Sequence, residues 1–280
     1  MNTMTLRKAI FDFLSEDLGH GDITSEAIFS SDQPGKASFI AKESFLAAGA
    51  ENIASEVFRA CNPDIACKGI KDGTRVSEGD IIFTAEGPVL DLLRAERVAL
   101  NLVQRLCGIA TLTSRFVEKV ILLPVKIVDT RKTTPGLRML EKYAVRVGGG
   151  HNHRFNLADG VLVKDNHIAA FGSIPKAVNR IRERVPHTIK IEVEAENLQQ
   201  VEACLAADVD IIMLDNMSLD MMRESVRLVK GRALLEASGG INLNTIRAVA
   251  ETGVNLISVG ALTHSAPACD ISMELDTTGQ

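Results

Sequence analysis

From residue 125 onward the chain repeats one unit: a short apolar run ending in polar residues, then a stretch with helical spacing. The runs are VKIVDT (125–130), GVLVKDN (160–166), IKIEVE (189–194), DIIMLDN (210–216), ALLEASGG (233–240) and NLISVGA (255–261). The spacing predicts helices over 137–147, 173–185, 196–206, 218–229 and 242–252. Strands too apolar to face water, alternating with helices, require a parallel sheet covered by helices. Six of them suit a closed (β/α) barrel or a doubly wound sheet, and the chemistry at the strand ends decides between the two.

Those ends are Asp129-Thr130-Arg131-Lys132, Lys164-Asp165-Asn166-His167, Glu192 with Glu194, Asp215-Asn216, Glu236 with Ser238-Gly239-Gly240, and Gly260-Ala261. In a barrel the catalytic groups sit at the C-terminal ends of the strands. One charged strand end is readily a structural ion pair, whereas six in series on a common rim indicate a site. The last two ends are glycine-rich or small and lead into helical segments, which is where such barrels hold a phosphate on free backbone N–H groups.

Residues 129–167 carry seven Lys/Arg (Arg131, Lys132, Arg138, Lys142, Arg146, Arg154, Lys164) and three of the six histidines, His151, His153 and His167. The chain as a whole has a formal charge of −5, so this block opposes its background. Clustered cations in an acidic protein point to a small ligand with several negative charges, not to a polyanion lying on a basic face. Lys142 and Arg146 read as a solvated helix face, and His151 as a loop histidine. Thr134-Pro135 is a helix start with Pro135 at the first position, and Leu137, Leu140, Ala144 and Val147 form its buried stripe. Gly148-Gly149-Gly150 ends that helix and places His153 and Arg154 near the TRK loop. Arginine forks grip carboxylates and phosphates, and lysine adds a point charge. Glu192 and Asp215 add carboxylates suited to sugar hydroxyls or to Mg²⁺ through water.

The first 124 residues read differently. Leu6, Ile10, Phe13 and Leu14 predict a helix over 5–18, stopped at Gly19. GHGDITSEAI follows as a loop in which Asp22 and Thr24 read as caps. Residues 36–49 alternate as a strand does, 52–60 return to helical spacing, and Ile65–Leu92 holds short strands separated by Asp72-Gly73, Gly79-Asp80 and Gly87-Pro88. Residues 89–120 form the longest helical pattern, with a break expected at Gly108. Arg94, Arg97 and Arg105 lie on or near its polar face, each a surface arginine paired with an acid or a ligand group.

Composition removes several classes. With no Trp and one Tyr the chain has no stacking platform for single-stranded nucleic acid, and its acidity disfavours nucleic acid generally. The five cysteines form no CxxC pair or metal-spaced set, so they read as reduced thiols of a cytoplasmic protein. No long apolar run suggests a membrane span, and Asp12, Glu16 and Asp17 interrupt any signal-peptide core. HExxH, GxSxG and a Walker loop are missing. KDGTRVSEGD is faintly similar to the hairpins of lipoyl-carrying modules but has no lysine at the tip.

Taken together, EDLGHGDIT (16–24), ERVALNLVQRLCGIAT (96–111), DTRKTTPGLR (129–138), GGGHNHRFNLADGVLVKDNH (148–167), EVE (192–194), MLDN (213–216), EASGGI (236–241) and SVGALTHSA (258–266) closely resemble the decarboxylating quinolinate phosphoribosyltransferases of NAD biosynthesis. The resemblance implies an N-terminal α+β open-faced sandwich over 1–112, with the tail 266–280 packing back on it. It also implies a TIM-like barrel over 113–265, usually of seven strands, so that a seventh is short or irregular. It further implies quinolinate, phosphoribosyl pyrophosphate and Mg²⁺ as reactants and cofactor. A homodimer or larger assembly would carry Arg97 into the neighbouring site. By the same resemblance Arg131, His153, Arg154 and Lys164 bind the quinolinate carboxylates, while Lys132 and Arg138 face carboxylate or pyrophosphate. Glu192 and Asp215 serve ribose and metal, and Ser238, Gly239, Gly240, Gly260, Ala261 and His264 surround the 5′-phosphate. The catalytic set is then Lys132, Lys164, Glu192 and Asp215.

Three other readings compete. Pyrophosphorylase-like relatives from molybdate operons share part of the TRKT pattern, but the full cationic set and ERVALNL favour quinolinate. A non-catalytic phosphometabolite sensor lacks any partner-docking feature. A phosphosugar isomerase would need a dedicated acid–base pair and fewer cations.

Overall fold

The structure, a computed structural model, describes residues 2–277. In chain order its elements begin with α1 (Thr3–Leu18), α2 (Ile23–Ile28), β1 (Pro34–Ala41), β2 (Phe45–Leu46), a π-helical turn (Ala50–Ala54), α3 (Ser55–Cys61), β3 (Ala66–Gly69), β4 (Arg75–Val76), β5 (Ile81–Pro88) and α4 (Val89–Val120). There follow β6 (Lys126–Val128), α5 (Arg138–Val147), β7 (Val161–Val163), α6 (Asp165–Phe171), α7 (Ile174–Arg182), β8 (Ile191–Ala195), α8 (Leu198–Ala206) and β9 (Ile211–Asp215). The last are α9 (Leu219–Val229), β10 (Leu234–Ser238), α10 (Ile246–Ala250), β11 (Leu256–Ser258), α11 (Ala261–His264) and β12 (Ile271–Asp276).

Two compact units result. The first takes the chain up to Ser114, then Thr134–Gly149 and the segment from Ser265; the second takes Arg115–Thr133 and Gly150–His264. In the first, an antiparallel sheet of order β12-β1-β5-β3 has its core marked by the rings of Phe39, Phe58 and Phe83, with centroids 5.1–5.9 Å apart. β12 comes from the tail and pairs with β1 from Lys36↔Asp276 to Ala41↔Ile271. The helix expected over 137–147 is α5, and it groups with this unit.

The second unit is a parallel sheet of order β6-β11-β10-β9-β8-β7. Consecutive strands are neighbours throughout except β6 and β7, which are the two ends of the order. That cyclic arrangement is a barrel's, and helices connect the strands. The seventh strand is a single parallel bridge, Val128↔His151, on the free edge of β6. There His151 N–H donates to Ile127 O at 2.8 Å and Asp129 N–H to His151 O at 3.1 Å. His151, read as a loop residue, is therefore the remnant of a strand.

Four local expectations are corrected. α4 runs unbroken through Gly108, because that glycine serves a close approach: a Cβ there would stand 1.8 Å from Pro267 O. Pro135 is not the first residue of a helix, since Gly136 has φ +83°, and α5 begins only at Arg138. Lys142 is 0% exposed and not solvated, whereas Arg146 is exposed; Val147 is only half-buried. The expected loop after Gly19 contains α2, capped as foreseen by Asp22, whose Oδ1 accepts the Ser25 N–H at 3.0 Å. On α4, Arg94 pairs with Glu26 and Asp91, and Arg105 Nε donates to the fully buried Glu141 at 2.7 Å.

Candidate active site

The first strand end is stitched to the HNHR segment through Asp129, which is fully buried. Its Oδ1 accepts the His153 N–H at 2.9 Å and its Oδ2 the Asn152 amide at 2.6 Å. A buried carboxylate is costly without partners, and these two bonds satisfy it and fix the loop. Four stretches then bring cations to one cavity of about 660 Å³: Arg131, Arg154, Lys164, His167 and Arg180, with Val161, Leu162 and Val163 of β7 and no carboxylate on its wall. Arg154 is held by Gly160 O at 3.0 Å. Its pKa is drawn below the ordinary arginine value, first by burial and next by Arg131. Arginine remains protonated under such a shift, so these cations are preorganised for an anion.

The acids occupy a separate recess of about 280 Å³ at the ends of β8 and β9, where Asp165, Glu194, Glu196 and Asp215 gather. Glu194 pairs with Lys164 Nζ, which ties this recess to the cation wall. Asp215 Oδ2 accepts the Asn216 amide at 3.0 Å. These hard oxygen donors fit Mg²⁺.

The small-residue ends form a third group. A Cβ on Gly260 would lie 3.0 Å from Lys132 Cδ and 3.2 Å from His264 Nε2, so this glycine lets a lysine and a histidine approach one strand end. Thr263 Oγ1 donates to Lys132 O at 2.8 Å and fixes the lysine's backbone. Gly239, with φ +101°, leaves room for Asn216, whose Oδ1 would be 2.1 Å from an added Cβ. Ser238 ends β10 and Gly239 and Gly240 follow it, and Gly260 and Ala261 follow β11 at the start of α11.

Below the rim, three groups meet inside the barrel. His153 Nε2 is 3.0 Å from Glu192 Oε2 and 3.8 Å from Glu236 Oε2. Glu192 and Glu236 are 4% and 1% exposed, and among the described residues their Oε1 atoms have no hydrogen-bond partner. Burial, then Glu192, pushes the Glu236 carboxyl up to about 7. Glu192 thus lies in the floor, while Glu194, two residues on and on the same face of the strand, reaches the rim. Arg97 and Arg138 belong to the first unit, where Arg97 is exposed 3.8 Å from Glu96 and Arg138 is half-buried at the head of α5.

Known proteins match this arrangement along the whole chain. Residues 22–107 match the family described as quinolinate phosphoribosyl transferase, N-terminal domain, and 109–274 its C-terminal domain. The chain is a quinolinate phosphoribosyltransferase family member. It is 46% identical over 281 residues to a probable nicotinate-nucleotide pyrophosphorylase (carboxylating) of Bacillus subtilis, covering 100% of this chain and 96% of that protein. A quinolinate phosphoribosyltransferase (decarboxylating) of Nicotiana glauca is 38% identical over 98% of this chain and 83% of its own. The crystal structure of NadC from Streptococcus pyogenes superposes with a TM-score of 0.95 at 42% identity, covering 100% and 99% of the two chains.

Within this family member, the sequence left Glu236, His167 and Arg180 without site roles. Glu236 shares its strand with SGG and was overshadowed by it. Glu194 was legible as a strand end, and the period of two in IEVEA places it with Glu192 on one face. Arg180 carries no local signal, since it reaches the cavity from a helix with ordinary amphipathic spacing.

Proposed function

We propose that this chain transfers the phosphoribosyl group of phosphoribosyl pyrophosphate to quinolinate with decarboxylation, giving nicotinate mononucleotide, pyrophosphate and CO₂ in NAD biosynthesis. The observation that carries the reading is the cavity with five basic groups and no carboxylate on its wall. Both substrates are strongly anionic, and a wall of this kind attracts a dicarboxylate.

Arg131, Arg154 and Lys164 grip the quinolinate carboxylates, and Lys132 faces the pyrophosphate or a carboxylate. Glu194, beside Asp215 in the acidic recess, takes the ribose hydroxyls in place of the more deeply buried Glu192. Ser238, Gly239, Gly240, Gly260, Ala261 and His264 hold the 5′-phosphate. Asp165 and Asp215 would hold Mg²⁺ through water, and the ion would supply neutralising charge at the pyrophosphate.

As pyrophosphate leaves, positive charge develops on the sugar, and the pyridine nitrogen bonds to the anomeric carbon. That nitrogen becomes cationic, so the C–C bond to the neighbouring carboxylate breaks to release CO₂. The electron pair stays on the ring carbon beside the cationic nitrogen, and that carbon takes a proton from water. The side chains orient the two substrates and stabilise the departing charge. Arg97, exposed on α4, serves the neighbouring site in a homodimer or larger assembly, and the protein works in the cytoplasm. Among the described residues no helix is long and apolar enough to cross a membrane. Purified protein given quinolinate, phosphoribosyl pyrophosphate and Mg²⁺ releases CO₂ and nicotinate mononucleotide in equal amounts. Consumption of phosphoribosyl pyrophosphate without CO₂ overturns the reading.

A further inference from the structure

His153 has both ring nitrogens engaged by the protein. The Arg154 backbone N–H donates to Nδ1 at 2.8 Å, so Nδ1 carries no proton. A neutral ring then keeps its proton on Nε2, which faces Glu192 Oε2 at 3.0 Å and Glu236 Oε2 at 3.8 Å. The three groups have the composition of a metal site, with ligand atoms within 4.8 Å of one another. The tautomer argues against that use. A metal-bound histidine donates its second ring N–H to a neighbour, whereas here the second nitrogen accepts. A cation on Nε2 would displace the proton that the Nδ1 contact requires.

Glu192 therefore acts on His153 through a hydrogen bond, with the Glu236 carboxyl set behind it at 3.8 Å. Glu192 and Glu236 lie on β8 and β10, separated in the sheet by β9, and both turn into the barrel. Glu236 also faces Ser258 and Asp129. Above the ring, the amide that His153 Nδ1 holds belongs to Arg154, whose guanidinium lines the cation cavity beside Arg131 and is braced by Gly160 O. Taking the Nε2–H away from Glu192 would free the ring to turn or change tautomer, and the Arg154 backbone would lose its acceptor.

We propose that Glu192 and Glu236 are positioning residues that lock the Nε2–H tautomer of His153 and so fix the backbone that aims Arg154 at a substrate carboxylate. This rests on the quinolinate reading above for the identity of the ligand, but the lock itself does not.

Two measurements on the full chain test it. In ¹⁵N-labelled wild-type protein, with the His153 ring assigned by its loss in His153→Asn, the ring shows a protonated Nε2 and an unprotonated Nδ1 at neutral pH. A protonated Nδ1, alone or in an imidazolium, overturns the proposal. In steady-state kinetics, Glu192→Leu raises the KM for quinolinate about 10- to 100-fold, the scale expected of a misaimed binding group. The KM for phosphoribosyl pyrophosphate moves less than about twofold. Glu192→Gln, whose side-chain carbonyl still accepts the Nε2–H, recovers most of that loss. An unchanged quinolinate KM in Glu192→Leu, or equal rises in both KM values, overturns the proposal. If Glu192→Leu does not fold, the wild-type spectrum and the Glu192→Gln kinetics still decide. Wild-type protein without turnover but with the expected tautomer would contradict the reaction and leave the lock standing.

Discussion

His153 Nε2 lies 3.0 Å from Glu192 Oε2, deep beneath the rim on which the cations gather. The pair joins the floor of the barrel to the wall of the cavity, because the opposite nitrogen of the same ring holds the Arg154 amide. His153, the middle residue of the segment Asn152–Arg154, is thus held by contacts on both sides of its ring.

The floor makes stability depend on pH. Glu236 is pushed from its ordinary 4.5 up to about 7, first by burial and next by Glu192. Its folded-state pKa is raised, so its stabilising contribution is full below about 4.5 and falls as pH rises, being lost by about 7. Thermal unfolding of wild type and Glu236→Gln between pH 4.5 and 8 checks this. The variant gains relative to wild type as pH rises through that window, and the difference levels off above it.

Removing the charge of Lys132 or Lys164 costs turnover, not folding. Both lysines are exposed, so neither Ala variant opens a cavity in the core. Each is expected to lower kcat/KM by about 100-fold or more, the scale of lost electrostatic stabilisation at a reacting centre, with a far-ultraviolet circular dichroism spectrum like that of wild type. Near-normal turnover in both removes the assigned roles.

Gly260 and Gly239 separate function from stability. Gly260→Ala pushes on the far ends of two side chains, Lys132 and His264, which can move. Its effect falls on turnover and on the KM for phosphoribosyl pyrophosphate. Gly239→Ala meets Asn216 at 2.1 Å on a backbone at φ +101°, where strain alone costs about 1–3 kcal/mol. Denaturant titration of the two variants should show the larger loss in Gly239→Ala.

At Gly108 two effects oppose one another. Helix propensity favours alanine by about 1 kcal/mol, but the new Cβ would lie 1.8 Å from the Pro267 carbonyl oxygen. Backbone atoms cannot yield as a side-chain tip does, and overpacking costs about 1–3 kcal/mol or more. Gly108→Ala is therefore destabilising, which a lowered denaturation midpoint would show.

The barrel was legible because its six strands are continuous apolar runs with chemistry at one end, a pattern that burial on both faces imposes. The seventh was not: its hydrogen bonds are made by the backbone of a single residue, His151, and backbone pairing leaves no side-chain signature. Gly108 was misread since a glycine within a helical pattern looks the same whether it breaks the helix or admits a neighbour from 159 residues away in sequence. Lys142 was misplaced because local spacing does not reveal which polar positions of a helix are covered. Of the cations on the cavity wall, Arg131, Arg154 and Lys164 were plain in the sequence, whereas Arg180 reaches the wall from a helix and was not. The division between Glu194 at the rim and Glu192 in the floor needed depth along the strand, which a period of two does not encode.

A cation wall that holds a second carboxylate makes the enzyme choose between two pyridine acids. Turnover of quinolinate against nicotinate, each with phosphoribosyl pyrophosphate and Mg²⁺, measures it directly. Quinolinate is expected to give nicotinate mononucleotide, and nicotinate, which lacks the carboxylate that leaves as CO₂, almost none. Comparable rates from the two acids would contradict it.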